Sequence, residues 1–309
     1  MMEQPTLQTE DPSQVARWGS DEARREFRRG REQLIAAQMT MRRQAASQLK
    51  AGPVEMPRDA GHVFCSGDRF PGTAEVVSSA RALLADTDLE QLRENANKPF
   101  MMKLVTKGKQ TVHRMSDVGL DSPFMRLALH PDVIATATRY LGVIPILQFF
   151  NVYYSSASSG ELTRSQLYHS DSDDVEQVKL WVLCEEVTPE TGPLTFLPPA
   201  ESELVRQKTG YRYDAVLTDE QVSEILGGLD AAIQFTGPAG TAGFIDTSRC
   251  LHFGSRFAEP TMTRLIVMMH YVTPLSFILP TEYWTKAKYR ALGATPGLDD
   301  LSRMVLGTV

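Results

Sequence analysis

The spacing of apolar positions changes near residue 142, and that change divides the chain. From Ser20 to about Lys50, scattered apolar residues (Phe27, Leu34, Ile35, Met39) sit among arginines, with Ser20 placed to cap a helix and Gly52-Pro53 to stop it. A second helix is predicted from about Ala74 to Asn95, where Val76, Val77, Ala80, Leu83 and Leu84 fall at helical spacing. The stretch from Ser122 to Tyr140 predicts two short helices meeting at His130-Pro131, because proline breaks a helix interior, and Gly142 caps the second. From Val143 onward strand formers take over: first Ile144, Ile146, Phe149, Phe150, Val152 to Tyr154, then runs at 166–170, 177–184, 193–197, 233–235, 242–246 and 263–272. Helices followed by many short strands predict a β-barrel or sandwich buttressed by N-terminal helices. The polar, partly helical span 201–229 is an insertion of the kind that forms active-site lids. Residues 1–19, polar and without a clear period, are expected to be a loose arm, leaving 20–309 as one domain: a helical part 20–142, a strand core 143–275 and a C-terminal segment 276–309.

Composition adds exclusions. A formal net charge of -6 disfavours nucleic acid and anionic membranes as partners. The basic face of the first helix carries interleaved Asp21, Glu22, Glu26 and Glu32, so a solvated, self-paired face is expected rather than a nucleic-acid patch. Three cysteines without paired spacing (Cys65, Cys184, Cys250) predict free thiols, a reducing cytoplasm and no Cys-x-x-Cys metal or redox site. No apolar run is long enough to span a bilayer, and the N-terminus has no secretory pattern. The serine cluster 155–159 with Gly160 has no nucleophile elbow or basic partner, which speaks against a serine hydrolase.

The chemistry enters at Leu167-Tyr168-His169-Ser170-Asp171. In extended chain, alternate side chains share a face, so His169 and Asp171 project together toward one metal ion. Asp173 lies one pleat farther, and Asp174 faces away. A His-x-Asp alone is common; what raises it is His252 after the apolar strand and turn Gly243 to Leu251, followed by Arg264 at the head of the apolar strand Leu265 to Met269. An arginine leading a buried strand is costly unless it meets an anion. Two histidines and one carboxylate on one face leave three coordination positions open, the arrangement of mononuclear ferrous oxygenases. His62, His113 and His130 have no partner at ligand spacing and are expected at the surface or helix ends; His270, sharing the parity of Arg264, is expected as a hydrogen-bonded core histidine. The methionines are expected as core filler.

From about residue 120 to 275 the chain resembles the phytanoyl-CoA dioxygenase family of iron- and 2-oxoglutarate-dependent oxygenases. The resemblance lies in Arg139-Tyr140-Leu141-Gly142, His169-x-Asp171, Lys179 to Leu183, the turn Thr191-Gly192-Pro193-Leu194-Thr195-Phe196-Leu197-Pro198, His252 and Arg264. It departs at Pro198-Pro199-Ala200-Glu201, where the family continues Pro-Gly-Ser-His. The resemblance implies a double-stranded β-helix (jelly roll, cupin-like) core with Fe(II) on His169, Asp171 and His252. It implies 2-oxoglutarate on Arg264, with Ser255 as the accompanying hydroxyl, and Gln148, Asn151, Tyr153, Trp181 and Thr195 lining the cosubstrate or substrate pocket. With O2, such a site hydroxylates a small organic substrate; desaturation, epoxidation and ring rearrangement stay open. Related halogenases replace the carboxylate ligand with a small residue, so Asp171 argues against halogenation. Two other classes remain: a 2-oxoglutarate-independent cupin-type dioxygenase or isomerase, and an inactive jelly-roll binding protein.

Overall fold

The computed structural model describes residues 12–94, 100–104, 119–157, 161–279 and 289–309. Residues 1–11 of the expected arm, Asn95, His113, residues 158–160, and Tyr283 and Trp284 of the C-terminal segment lie outside the described residues.

Helices come first: α1 (Pro12–Trp18), α2 (Asp21–Leu34), α3 (Ala36–Gln48), α4 (Thr73–Ala85), α5 (Leu89–Glu94), α6 (Pro123–Ala128) and α7 (Pro131–Leu141). Ser20 caps α2 as expected, its side chain accepting from Ala23 N at 3.3 Å. The chain breaks at Ile35, so one expected helix becomes two. The second predicted helix also splits, because Asp88 accepts from Gln91 N at 3.0 Å and starts α5. The α6–α7 break at His130-Pro131 and the left-handed Gly142 cap are as predicted. Part of the expected loose arm is ordered: α1 packs on α2, and Arg17 binds Ser172 Oγ at 2.9 Å and pairs with Asp173.

The strands form two antiparallel sheets. The large sheet runs β1 (His62–Ser66), β7 (Thr241–Ile245), β4 (Gln177–Leu183), β9 (Thr263–Val272), β3 (Ile146–Ser156), β2 (Met101–Lys103). The small sheet runs β6 (Ile233–Phe235), β5 (Leu194–Phe196), β8 (His252–Phe253). From β3 the chain alternates between layers: large sheet, the bridged segment at 168–169, β4, then β5 and β6 in the small sheet, β7, β8, and back to β9. That alternation is the double-stranded β-helix. The edge strands β1 and β2 were not anticipated, since their runs are short and lack clear alternation. His62 is consequently not a surface residue; it is half-buried, 5.0 Å from the rings of both Phe64 and Phe196.

The two faces of the large sheet bury different things. Outward, Phe150, Val152, Leu180, Val182, Phe244, Val267 and Met269 pack under α3, α4, α6 and α7. Inward, Tyr153, Trp181, Leu183, Ile266 and Met268 meet Leu194, Phe196 and Phe235 of the small sheet. Every residue of β4 is therefore buried, although it alternates apolar with polar. The insertion holds α8 (Pro199–Thr209) and α9 (Asp219–Leu226) around their own small core.

Candidate metal centre

His169 and Asp171 do not lie on the strand predicted at 166–170. Residues 164–166 form a short 3₁₀ turn, and the next residues are extended but held only by bridges. One bridge matters most: His169 N donates to His252 O at 3.0 Å and His252 N to His169 O at 2.9 Å. A reciprocally bonded antiparallel pair directs both side chains to one side. The two imidazole centroids lie 4.2 Å apart. Asp171 is anchored one pleat on, its N donating to Thr247 O at 2.9 Å. One nitrogen from each imidazole and one Asp171 oxygen all lie within 4.8 Å of one another.

The histidines are oriented as ligands. Nδ1 of His169 lies 2.9 Å from Leu167 O, and Nδ1 of His252 lies 3.0 Å from Cys250 O. A carbonyl only accepts, so Nδ1 carries the proton in each and Nε2 keeps its lone pair. Burial, helped by the neighbouring His169, lowers the His252 pKa to about 3, so its imidazole is neutral and ready to ligate. Burial raises the Asp171 carboxyl, but Lys179, His252 and His169 outweigh it and hold the group well below the usual carboxylate range.

Two residues that sequence reading passed over fix Asp171. Lys179 Nζ lies 2.5 Å from Asp171 Oδ2, and Gln177 Nε2 donates to the same oxygen at 3.1 Å. Gln177 is itself held by Thr247 Oγ1 at 2.7 Å and His270 Nε2 at 2.9 Å. His270 is thus the hydrogen-bonded core histidine expected, not a ligand. The signal for this group was strand parity: Gln177, Lys179 and Trp181 share the inward face of β4. Asp173 turns to Arg17, and Asp174 is buried against Arg28 and Thr273.

Arg264 lies at the other end of the inward face. It is 4% exposed, donates to Gly192 O, and reaches Ser255 Oγ at 3.0 Å. Its Nε has no partner, and it forms no ion pair among the described residues. Burial lowers its pKa to about 10, leaving it charged at neutral pH. Gly192 can be nothing larger: its φ is +65°, and a Cβ there would sit 2.9 Å from Arg256 N. Ser255 adopts φ 60° and turns its hydroxyl to Arg264 and to Ser155 Oγ at 3.3 Å.

Between the two ends, cross-strand register places the remaining candidates. Arg264 opposes Ser155, Ile266 opposes Tyr153, Met268 opposes Asn151 and Trp181, and His270 opposes Phe149 and Lys179. Asn151 donates to Tyr153 Oη at 2.9 Å. Trp181 is 9% exposed and its indole N–H has no partner among the described residues. Gln148 sits at the β-bulge between Leu147 and Phe149, with a buried Oε1 that has no partner among the described residues. Thr195 is a correction. It opposes Gln234 and Phe253, whereas Phe196 opposes His252, so Thr195 occupies the face of β5 away from the metal centre. From the insertion, the Tyr211 hydroxyl accepts from Ser170 N at 2.9 Å, between His169 and Asp171.

Fold and site together define a double-stranded β-helix protein that carries a His-x-Asp…His triad able to bind a metal ion. No protein-family model matches the chain, and no curated protein matches it. Among solved structures it is similar to apo EctD from S. alaskensis (21% identity, covering 72% of this chain and 78% of that one, TM-score 0.49). It is also similar to the epimerase SnoN in complex with Fe3+, alpha ketoglutarate and nogalamycin RO (18% identity, 82% and 91% covered, TM-score 0.45). A third likeness is to AviO1 from Streptomyces viridochromogenes Tue57 (12% identity, 71% and 92% covered, TM-score 0.44). At these levels the chemistry has to be read from the site's own residues.

Proposed function

We propose that the chain is a non-haem iron oxygenase that uses 2-oxoglutarate and O2 to hydroxylate an unactivated C–H bond of a small organic molecule. The donor set fits ferrous iron: two imidazole Nε2 atoms and one carboxylate on one face, with three positions left for other ligands. Iron with 2-oxoglutarate and O2 would supply an oxidant strong enough for such a bond, with succinate and CO2 as co-products.

The observation that carries the cosubstrate is Arg264. A fully buried guanidinium with a vacant Nε, a hydroxyl beside it and no acidic partner among the described residues is built to receive a carboxylate. Asn151, Tyr153 and Trp181 are buried on the inward face between Arg264 and Lys179, where they would shield a bound cosubstrate from water. The Tyr211 contact ties the lid-like insertion to the ligand segment, where it would shape the substrate's side of the pocket.

The test is anaerobic addition of Fe(II) and 2-oxoglutarate to the metal-free protein. A weak visible charge-transfer band is expected with the wild type and none with Asp171→Ala. Arg264→Met is expected to lose the band at matched 2-oxoglutarate while still binding metal. A band that forms equally well without Asp171 would sink the proposal. Activity indifferent to Arg264 would instead favour a 2-oxoglutarate-independent cupin-type enzyme.

A further inference from the structure

The proposed cosubstrate has two carboxylates, and Arg264 accounts for one. Lys179 is the other inward-facing cation of this region that needs explaining. It is only 7% exposed, and its ion-pair partner among the described residues is Asp171, at 2.5 Å. A buried ammonium is sustained by an anion. Asp171 serves that purpose in the metal-free chain, yet it is also one of the three residues positioned to ligate the metal. Once a dication takes that carboxylate, Lys179 faces a doubly positive neighbour with its counter-ion committed. The next acid, Asp173, is already engaged by Arg17. Lys103 is no source of negative charge either: its ammonium lies 5.8 Å from the Tyr153 ring, on the register that faces Tyr153. The loaded centre therefore calls for one more anion close to the metal.

Position says which anion. Lys179 opposes His270 and Arg264 opposes Ser155, so the two cations stand at opposite ends of one inward face. Among the described residues, Asn151, Tyr153, Trp181, Ile266 and Met268 lie between them, with Lys103 opposite Tyr153 at the sheet edge, and none of these is an acid. A face with a buried cation at each end and no acid between them matches a short dicarboxylate whose second acid group lies beside the metal.

We propose that Lys179 is the second carboxylate-binding residue of the site: when metal occupies Asp171, its ammonium passes to the carboxylate of the 2-oxo-acid end of the cosubstrate. This rests on the 2-oxoglutarate reading above, and the experiment separates the two. The cobalt(II)-loaded protein is titrated with 2-oxoglutarate and with pyruvate, which has the 2-oxo-acid end and no distal carboxylate. Lys179→Met and Lys179→Gln are expected to keep cobalt and to bind both acids about tenfold or more weakly, the effect of losing one charge-assisted hydrogen bond. Arg264→Met is expected to weaken 2-oxoglutarate and leave pyruvate unchanged. Wild-type affinity for pyruvate in either folded Lys179 variant overturns the proposal. Loss of cobalt binding in both folded variants overturns it too, because Lys179 would then act only by positioning Asp171. If Arg264→Met weakens both acids equally or neither, the cosubstrate reading fails, while Lys179 is still judged on pyruvate alone.

Discussion

His252 shows how burial prepares an imidazole that could take a metal. Its imidazole has a pKa near 3 in the folded chain against 6.5 when exposed, a depression caused first by burial and then by His169. The unfolded chain takes up a proton below pH 6.5 that the folded chain refuses. The contribution is thus complete above pH 6.5 and is lost as pH falls from 6.5 toward 3, with a slope approaching about 1.4 kcal/mol per pH unit from this group. Urea unfolding of the metal-free protein at pH 7 and pH 5 should show the loss, and His252→Gln should flatten it. An unchanged slope in that variant would assign the acid sensitivity elsewhere. At this scale the candidate triad and Arg264 could be picked out because their cue is local. His169 and Asp171 stand two apart, His252 follows a turn, and Arg264 is a lone charge on an apolar run. Lys179 and Gln177 could not, because what they do depends on a partner eight or six residues away whose approach only the fold decides.

Among the elements, α2 departs most from its sequence. Interleaved acids predicted a solvated basic face, but Arg24, Arg28 and Arg31 form one row at i, i+4 and i+7 that turns inward. Arg24 bonds Arg17 O, Ser172 O at 3.3 Å and Asp174 O at 3.0 Å, and lies over the rings of Tyr213 and Phe277. Arg28 pairs with Asp174, and Arg31 binds Ser276 O. Long stems make this possible: the methylenes are buried while the guanidinium satisfies carbonyls that have no sheet partner. Composition cannot separate such a clamp from a solvated face, since both are written in the same letters. The clamp grips the chain immediately after Asp171, so α2 sets the position of the ligand segment from behind. Arg24→Met keeps the stem but strands two buried carbonyls, at an expected cost of about 3 kcal/mol in urea unfolding. Cobalt affinity should fall with it. A variant as unstable as predicted but with wild-type metal affinity would show that the ligand segment does not depend on α2.

For the whole molecule, the metal would join parts that the sheets alone hold loosely. The segment carrying His169 and Asp171 belongs to no named strand, and β8 is two residues long. Their mutual hold is a handful of bonds rather than a ladder: the reciprocal His169–His252 pair, Asp171 N on Thr247 O, Gly254 N on Ser165 O, and Gln166 with Ser255 O and Arg256. The large sheet, by contrast, is closed by continuous ladders from β3 through β9 to β4. Such asymmetry was visible in outline as helices first and strands after. The weakness of the ligand-bearing layer was not, because a predicted strand at 166–170 disguised it. A ligand that binds only the folded state stabilises it by mass action, by about 2.7 kcal/mol at a hundredfold excess over Kd. The gain should not be spread evenly. Cobalt(II) is expected to slow amide hydrogen exchange most in residues 167–171 and 246–253 and to leave β3 and β9 nearly unchanged, since their ladders already open only on global unfolding. His169→Ala should abolish both the thermal stabilisation and the local protection. Arg264→Met, remote from the triad, should retain both. Uniform slowing across the large sheet would mean that the metal-bearing layer and the large sheet unfold as one unit, and that the triad adds no local hold of its own.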